Sequence, residues 1–188
     1  MRKILLMSFL VLSFISVNAQ EEEEQRGFDR SKLFIGGNFG MSFGNSTFIN
    51  VSPQVGYRFK DWFAAGTGLN FQYSSFRSRN FSGATVSREN YGVVGLNIFG
   101  RVYPLQQVLL QVQPEMNYTW GKFKLYGPPD SESTLAGKFV PSVLLGAGGA
   151  IPMGRGAMII MAQYDILQNE RTPYGNRVFY NFGYNVGF

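Results

Sequence analysis

Apolar and polar residues alternate along most of this chain from Lys32 onward. The pattern is clearest at the C-terminal end, where every second position from Val178 to Phe188 is apolar and the positions between are mostly glycine or asparagine. Successive side chains of an extended strand point to opposite faces, so a period of two predicts a β-strand with one apolar face. We therefore expect residues 177–188 to form the last strand of the fold.

The same alternation recurs in seven earlier segments. In each, leucine, isoleucine, valine, phenylalanine or tyrosine occupies one face, and glycine, serine, asparagine or glutamine occupies the other. The seven segments are 33–43, 49–59, 63–74, 94–102, 108–120, 139–151 and 158–166, and the last strand, 177–188, is the eighth. The sequence therefore predicts an all-β protein with eight antiparallel strands.

The predicted connections alternate in length. Those at 60–61, 104–107 and 152–156 are tight, whereas those at 75–89, 125–137 and 169–176 are longer and polar. The turn 44–46 departs from this pattern, because it is short where a long loop is expected. Short periplasmic turns that alternate with longer outer loops are typical of an up-and-down transmembrane β-barrel.

A secreted soluble barrel, with its apolar face turned inward, is the alternative. An eight-stranded barrel is only just wide enough for side chains to fill it, so the large apolar residues of eight strands would overfill the interior. The opposite face, rich in amides and glycine, would make a poor soluble surface. The pattern therefore favours lipid on the outside and a polar, plugged lumen.

Composition supports the same interpretation and excludes several functions. Charged residues are only 15% of the chain, aromatic residues are 16%, and there are 23 glycines. Because the chain has no cysteine and no histidine, it lacks disulfides, thiolate ligands and the commonest general base and metal ligand. We expect no enzymatic activity, no cofactor and no metal site. The scattered basic residues also argue against nucleic acid as a partner.

The N-terminus resembles an export signal. Arg2 and Lys3 precede an apolar run from Ile4 to Val17, and a Val17-Asn18-Ala19 end follows. This pattern predicts a signal peptide over residues 1–19, and the run is too short and too serine-rich for a transmembrane anchor. The acidic segment that follows, residues 20–31, is predicted to be a disordered periplasmic leader, and the barrel is predicted over residues 32–188.

Several charged and special residues lie within the predicted strands. Five charges fall on the predicted lumen face: Arg58, Arg101, Glu115, Asp165 and Arg177. Isolated buried charges are costly, so we expect ion pairs, with Asp165 close to Arg177 and Glu115 close to Arg58 or Arg101. A gate or proton path is the functional alternative to this structural network. Pro53, Pro114 and Pro141 also need bulges or strand ends, since proline removes a ladder hydrogen bond.

The predicted loop 75–89 carries Arg77, Arg79 and Arg88 together with Phe76 and Phe81. At the cell surface, these arginines would contact lipopolysaccharide phosphates through charge-assisted hydrogen bonds. The simpler interpretation is a solvated loop, because runs of charge usually only solvate.

The predicted export signal, the eight strands and the aromatic C-terminus together resemble the small outer-membrane β-barrel family. This family includes OmpA-like and OmpX-like barrels, "porin family" proteins and the PorT-like proteins of type IX secretion. Phe182, Tyr184, Val186 and Phe188 resemble its C-terminal assembly signal, which implies insertion by the barrel-assembly machinery. The resemblance implies a Gram-negative outer-membrane protein with a structural, surface-interaction or lipopolysaccharide-contacting role. The alternatives are a component of a secretion or envelope-assembly machine, with protein partners, and a narrow pore.

Overall fold

A computed structural model describes residues 29–43 and 46–187, which form one closed barrel of eight antiparallel strands. Each strand pairs with its sequence neighbours, and β1 pairs with β8 to close the ring. The prediction of an eight-stranded up-and-down barrel is confirmed. The strands are β1 (Leu33–Ser42), β2 (Ser46–Lys60), β3 (Phe63–Arg79), β4 (Thr85–Leu105), β5 (Val108–Leu125), β6 (Ser131–Met153), β7 (Gly156–Asp165) and β8 (Phe179–Gly187).

The two faces of the barrel have the polarity that the alternation predicts. Apolar side chains point outward and remain exposed, as for Tyr180 at 71% and Leu96 at 62% exposure. Amide and hydroxyl side chains point inward and are buried, as for Asn117 and Thr119 at 0%. The alternative of a barrel with an apolar interior and a polar surface is therefore wrong.

The two ends of the barrel differ in their connections. At one end, called here the turn end, strands β2–β3, β4–β5 and β6–β7 are joined by two-residue turns at 61–62, 106–107 and 154–155. Gly154 in the last of these has a φ of +61°, which favours glycine. These short turns agree with the predicted tight connections. The opposite end is called the loop end.

The loop end differs from the prediction of long loops. Residues 75–89 and 125–137 mostly continue the strands, so that the linking segments shrink to 80–84 and 126–130. The strand pairing continues through these hairpins and joins them to each other, with Ser87 opposite Leu125. Continued pairing satisfies backbone donors and acceptors that a loop would leave to water. The remaining long connection, 166–178, is a true loop.

The three prolines singled out in the sequence are accommodated in two ways. Pro53 and Pro114 each keep a partner on one side, Gly37 and Val143 respectively, and lie in a local gap of the ladder on the other side. Pro141 pairs with Met116 on β5 but lies beyond the loop end of β7. Proline has no N–H to donate. Each of the three therefore lies where the neighbouring strand is not paired with it on one side, so no ladder hydrogen bond is lost there.

The start of the described chain is a short 3-10 turn, Arg30–Lys32, before β1. The Asp29 carboxylate accepts hydrogen bonds from the Ser31 hydroxyl at 2.7 Å and the Ser31 N–H at 2.9 Å, and these bonds lower the pKa of Asp29. The disordered leader over residues 20–31 stays a prediction. The predicted signal peptide, the rest of the leader, residues 44–45 and Phe188 lie outside the described residues. No helix in the described ranges is long and apolar enough to cross a membrane.

The apolar cluster inside the barrel lies at the turn end. It comprises Phe34, Ala64, Phe99, Tyr103, Leu109, Ala150, Ile159 and Met161. Farther toward the loop end, Val93, Val140 and Leu144 are also buried. Ile159 and Met161 lie on the inward face of β7, against the general alternation. This cluster fills the barrel below the polar residues described next.

Candidate functional site

The most organised chemistry of the molecule lies on the inward face of β5. Its alternation turns Gln111, Gln113, Glu115, Asn117 and Thr119 into the lumen, and all five are buried. The glutamines and asparagine bond along the strand: Gln111 donates to Gln113, Gln113 Nε2 donates to Glu115 Oε1 at 2.6 Å, and Asn117 Nδ2 donates to Glu115 Oε2 at 2.9 Å. The result is a polar ladder with a carboxylate at its centre.

The ladder begins at a buried guanidinium. Arg101 on β4, 2% exposed, donates through Nε to Gln111 and through Nη2 to Gln54 Oε1 at 2.9 Å. The Asn185 amide, turned with its oxygen toward Arg101, accepts from Nη1 at 2.7 Å. The guanidinium carbon also lies 4.5 Å from the centre of the Phe99 ring. Amide oxygens and an aromatic face therefore compensate for the hydration that Arg101 loses.

Donors along this chain all point the same way, from Arg101 through Gln111 and Gln113 to Glu115. Hydrogen bonds aligned in this way polarise one another, which strengthens each bond in a low-dielectric interior. The cation and the carboxylate are thus coupled through two amides, although at 3.3 Å per residue their levels are about 13 Å apart along β5. The predicted ion pair between Glu115 and Arg101 is therefore not formed, and two glutamine side chains connect them instead.

Two asparagines extend the ladder across the lumen. Asn97 Nδ2 on β4 donates to Asn70 Oδ1 at 2.8 Å, and Asn70 Nδ2 on β3 donates to Asn117 Oδ1 at 3.3 Å. Because β3, β4 and β5 are neighbours, these amides link the three strands at one level on the inner face of the barrel. The interior at mid-height is a continuous network of amide hydrogen bonds.

The loop 166–178 folds back and closes the loop end of this network. Tyr174 donates from its hydroxyl to Glu115 Oε2 at 2.6 Å, and Thr172 donates to Asp165 Oδ2 at 2.6 Å. The Tyr174 ring stacks on Phe179 with centroids 4.7 Å apart. We call residues 166–178 the plug loop, because its side chains bond the two buried carboxylates of the lumen.

Further contacts fix the plug loop to the wall. Arg171 donates through Nη2 to the Ala136 carbonyl on β6 at 2.8 Å, and its own carbonyl accepts from the Tyr91 hydroxyl at 3.1 Å. Asp165 Oδ1 accepts from the N–H groups of Val143 and Leu167, both at 3.1 Å. Strands β4, β6 and β7 therefore all hold the loop.

The predicted network of ion pairs is not what the structure contains. Neither Glu115 nor Asp165 has a cationic side chain within 4.0 Å among the described residues, and neutral donors satisfy both. Hydroxyl, amide and backbone donors supply hydrogen bonds without the cost of burying a second charge. The described chain does form an ion pair on the outer surface, Lys122–Glu132 at 2.6 Å.

Two of the five predicted lumen charges are exposed at the two ends of the barrel. Arg58 is exposed near the end of β2, with its guanidinium 4.8 Å from the Tyr103 ring centre. Arg177 is exposed in the plug loop, because β7 ends at Asp165 and β8 begins only at Phe179. The expected approach of Arg177 to Asp165 across a tight hairpin fails for this reason.

Two cavities remain inside the barrel. The loop-end cavity has a volume of about 530 Å³ and is lined by Asn50, Gln72, Glu89, Tyr91, Glu115 and Arg177, among others. The turn-end cavity has about 180 Å³ and lies among Lys32, Arg58, Tyr103 and Asn185. Between them, the buried Phe99, Arg101, Leu109 and Gln111 occupy the cross-section.

The other predicted site residues lie on the outer surface. Arg77 and Arg88 face each other across β3 and β4 at the loop end, while Arg79 lies beyond a bulge at the hairpin tip. Phe182, Tyr184 and Val186 point outward from β8, which is the orientation expected of the predicted assembly signal. No group of three or more metal-binding carboxylates occurs in the described ranges.

Sequence reasoning missed the plug loop and the role of Tyr174. The signal it had was the polarity of residues 169–176, which identifies a loop but not the direction in which it folds. Neither family models nor curated proteins match this chain. The geometry alone therefore defines the candidate site: the hydrogen-bonded lumen of a closed eight-stranded barrel.

Proposed function

We propose that this chain is an integral outer-membrane β-barrel protein whose lumen is closed, with a structural or surface-interaction role. The observation that carries the proposal is the inverted distribution of polarity. Exposed apolar side chains cover the outside of all eight strands, while amides, two carboxylates and Arg101 lie inside, together with an apolar cluster at the turn end.

This outer surface suits hydrocarbon rather than water. Soluble monomers rarely expose contiguous apolar patches above a few hundred Å², whereas here the apolar face runs around the barrel. The strand ring also has no free edge, so backbone N–H and C=O groups are paired within the wall, as a bilayer requires. Aromatic residues near the loop end, such as Tyr73, Tyr118 and Trp120, fit an interfacial girdle.

The even number of strands and the predicted export signal support the outer membrane as the location. The turn end, which carries the start of the described chain and the last residues of β8, would then face the periplasm, and the plug loop would face the outside. Insertion would require the barrel-assembly machinery, with the aromatic β8 as its recognition element.

Heat modifiability on a gel tests the barrel in lipid. The purified membrane fraction is run unboiled and boiled, before and after an alkaline carbonate wash. We expect a band that resists extraction and changes mobility only after boiling, because a closed strand ring stays compact in detergent. A band that carbonate extracts and that boiling leaves unchanged would contradict the proposal.

Planar-bilayer recording tests the closed lumen. The plug loop lies at one end of the lumen, and Phe99, Arg101, Leu109 and Gln111 are buried below it. Because these groups would block the lumen, we expect no conductance steps at high protein load. Reproducible steps from the heat-modifiable form would show instead a narrow pore.

A further inference from the structure

Three basic residues form a continuous row on the outer face at the loop end. The strand pairing sets Arg77 on β3 opposite Arg88 on β4, and Arg88 opposite Lys124 on β5. Directly opposite residues on one face have Cβ atoms about 4.5–5.5 Å apart. We call Arg77, Arg88 and Lys124 the basic row.

The basic row is poorly neutralised by the protein. Like charges directly opposite each other destabilise a sheet, and here two such pairs are adjacent. Glu132 on β6 is opposite Lys124, but its carboxylate binds Lys122 Nζ at 2.6 Å. On the outward face of β3 to β6, within the described chain, Glu132 is the one carboxylate. The row thus keeps three positive charges that an external anion would stabilise.

The height of the row fits the headgroup layer of a bilayer. Four residues below it, on the same outward face, one level joins Tyr73, Gly92 and Trp120 across the same three strands. Four residues span about 13 Å along a strand, or about 10 Å of height once strands tilt by 35–45°. With aromatic residues at the interface, arginine and lysine side chains of the row reach the phosphate level above it.

We propose that the basic row binds the phosphate groups of a membrane lipid whose headgroup carries more than one phosphate. This proposal rests on the proposed membrane location. The acyl chains of the lipid would lie on the apolar face below, along Leu96 and Phe71, and the guanidinium groups would grip phosphate oxygens in pairs. Of the three arginines singled out in the sequence, Arg79 lies outside this site, and Lys124 completes it.

Lipid retention by the folded barrel tests the proposal. The protein is folded into phosphatidylcholine vesicles that contain a few per cent of diphosphorylated lipid A, extracted into mild detergent and weighed by native mass spectrometry. The test variant is Arg77→Gln/Arg88→Gln/Lys124→Gln. The matched control, Arg30→Gln/Lys60→Gln/Arg155→Gln, removes three exposed cations near the turn end.

We expect the wild type and the control to retain lipid A, and the test variant to bind at least about tenfold more weakly, since each lost bond joins two charged groups. Equal retention by the test variant would overturn the proposal. Inorganic phosphate at the same concentration should not displace the lipid, and full displacement would make the row a simple anion site and likewise overturn it.

Heat modifiability of each sample separates this proposal from the membrane location. If the wild type fails to insert, the proposed function fails. If it inserts but retains dephosphorylated and diphosphorylated lipid equally, only the lipid site fails.

Removal of like charges should leave the test variant at least as heat-resistant as the wild type in phosphatidylcholine alone. If the test variant does not fold, the three cations have a structural role. The single variant Lys124→Gln, which keeps Arg77 and Arg88, then measures the loss of lipid A binding in a folded barrel. Unchanged retention of lipid A by this variant would also contradict the proposed lipid site.

Discussion

Leu96 gives the sharpest test of which solvent surrounds the barrel. It lies on the outward face of β4, beside Leu69 and Met116 on the neighbouring strands, near the middle of the apolar belt. At 62% exposure, it contacts the surroundings more than it contacts the protein. Replacement by arginine therefore measures the medium rather than the packing.

The two possible media give different magnitudes. In a bilayer, arginine at the midplane of a barrel costs about 2–4 kcal/mol, and the cost falls to about 0–1 kcal/mol near the interface. In water, an exposed substitution changes the stability by only about ±0.5 kcal/mol. Val86 is the matched control, because it is also exposed on the outward face of β4 but lies near the hairpin tip.

Equilibrium urea unfolding from lipid vesicles measures the difference. The fluorescence of Trp62 and Trp120 and the gel mobility of unboiled samples report the folded fraction. We expect Leu96→Arg to lower the free energy of unfolding by about 2–4 kcal/mol and Val86→Arg by at most about 1 kcal/mol. A Leu96→Arg effect no larger than that of Val86→Arg would refute lipid contact at mid-height.

Three further predictions concern the lumen. Tyr174→Phe keeps the ring but removes the hydrogen bond to Glu115, which is worth about 1.5–3 kcal/mol. We therefore expect faster proteolysis of the plug loop and an unchanged shift in gel mobility on boiling. An unchanged cleavage rate would show that other contacts hold the loop. Gly95→Ala places a Cβ 2.0 Å from Asn117 Oδ1 and should cost about 1–3 kcal/mol in urea unfolding, whereas Gly100→Ala, with its nearest neighbour 3.9 Å away, should be close to neutral; equal effects would contradict the tight inner packing. Asn117→Ala removes one of the hydrogen bonds to Glu115 and leaves Asn70 Nδ2 without its acceptor, which should cost about 1–3 kcal/mol in urea unfolding. A cost below about 0.5 kcal/mol would show that water replaces the amide.

The strands and their faces could be predicted because alternation is a local property. Residues 108–120 show this best, since each inward position there is polar or buried and each outward position is apolar and exposed. The extended hairpins were missed for the same reason. Residues 75–79 and 85–89 are polar on both faces, so they show no alternation, and only pairing with the next strand reveals them.

The lumen contacts could be predicted only in part. Glu115 and Arg101 were correctly placed inside, because parity along a strand fixes which face a residue occupies. Their partners were not, since Tyr174 lies 59 residues from Glu115 and Gln54 lies 47 residues from Arg101. Such pairs depend on the register of non-adjacent segments and on the path of the plug loop.

The sequence by itself therefore determined the number of strands, their order and the apolar face of each strand. These properties follow from the alternating direction of side chains along an extended chain. Only the tertiary structure decided how the buried charges are satisfied, because closure of the ring brings amides and hydroxyls from distant strands within hydrogen-bonding distance of them. The register between β3, β4 and β5 also set the three outer cations side by side, which no single strand could show.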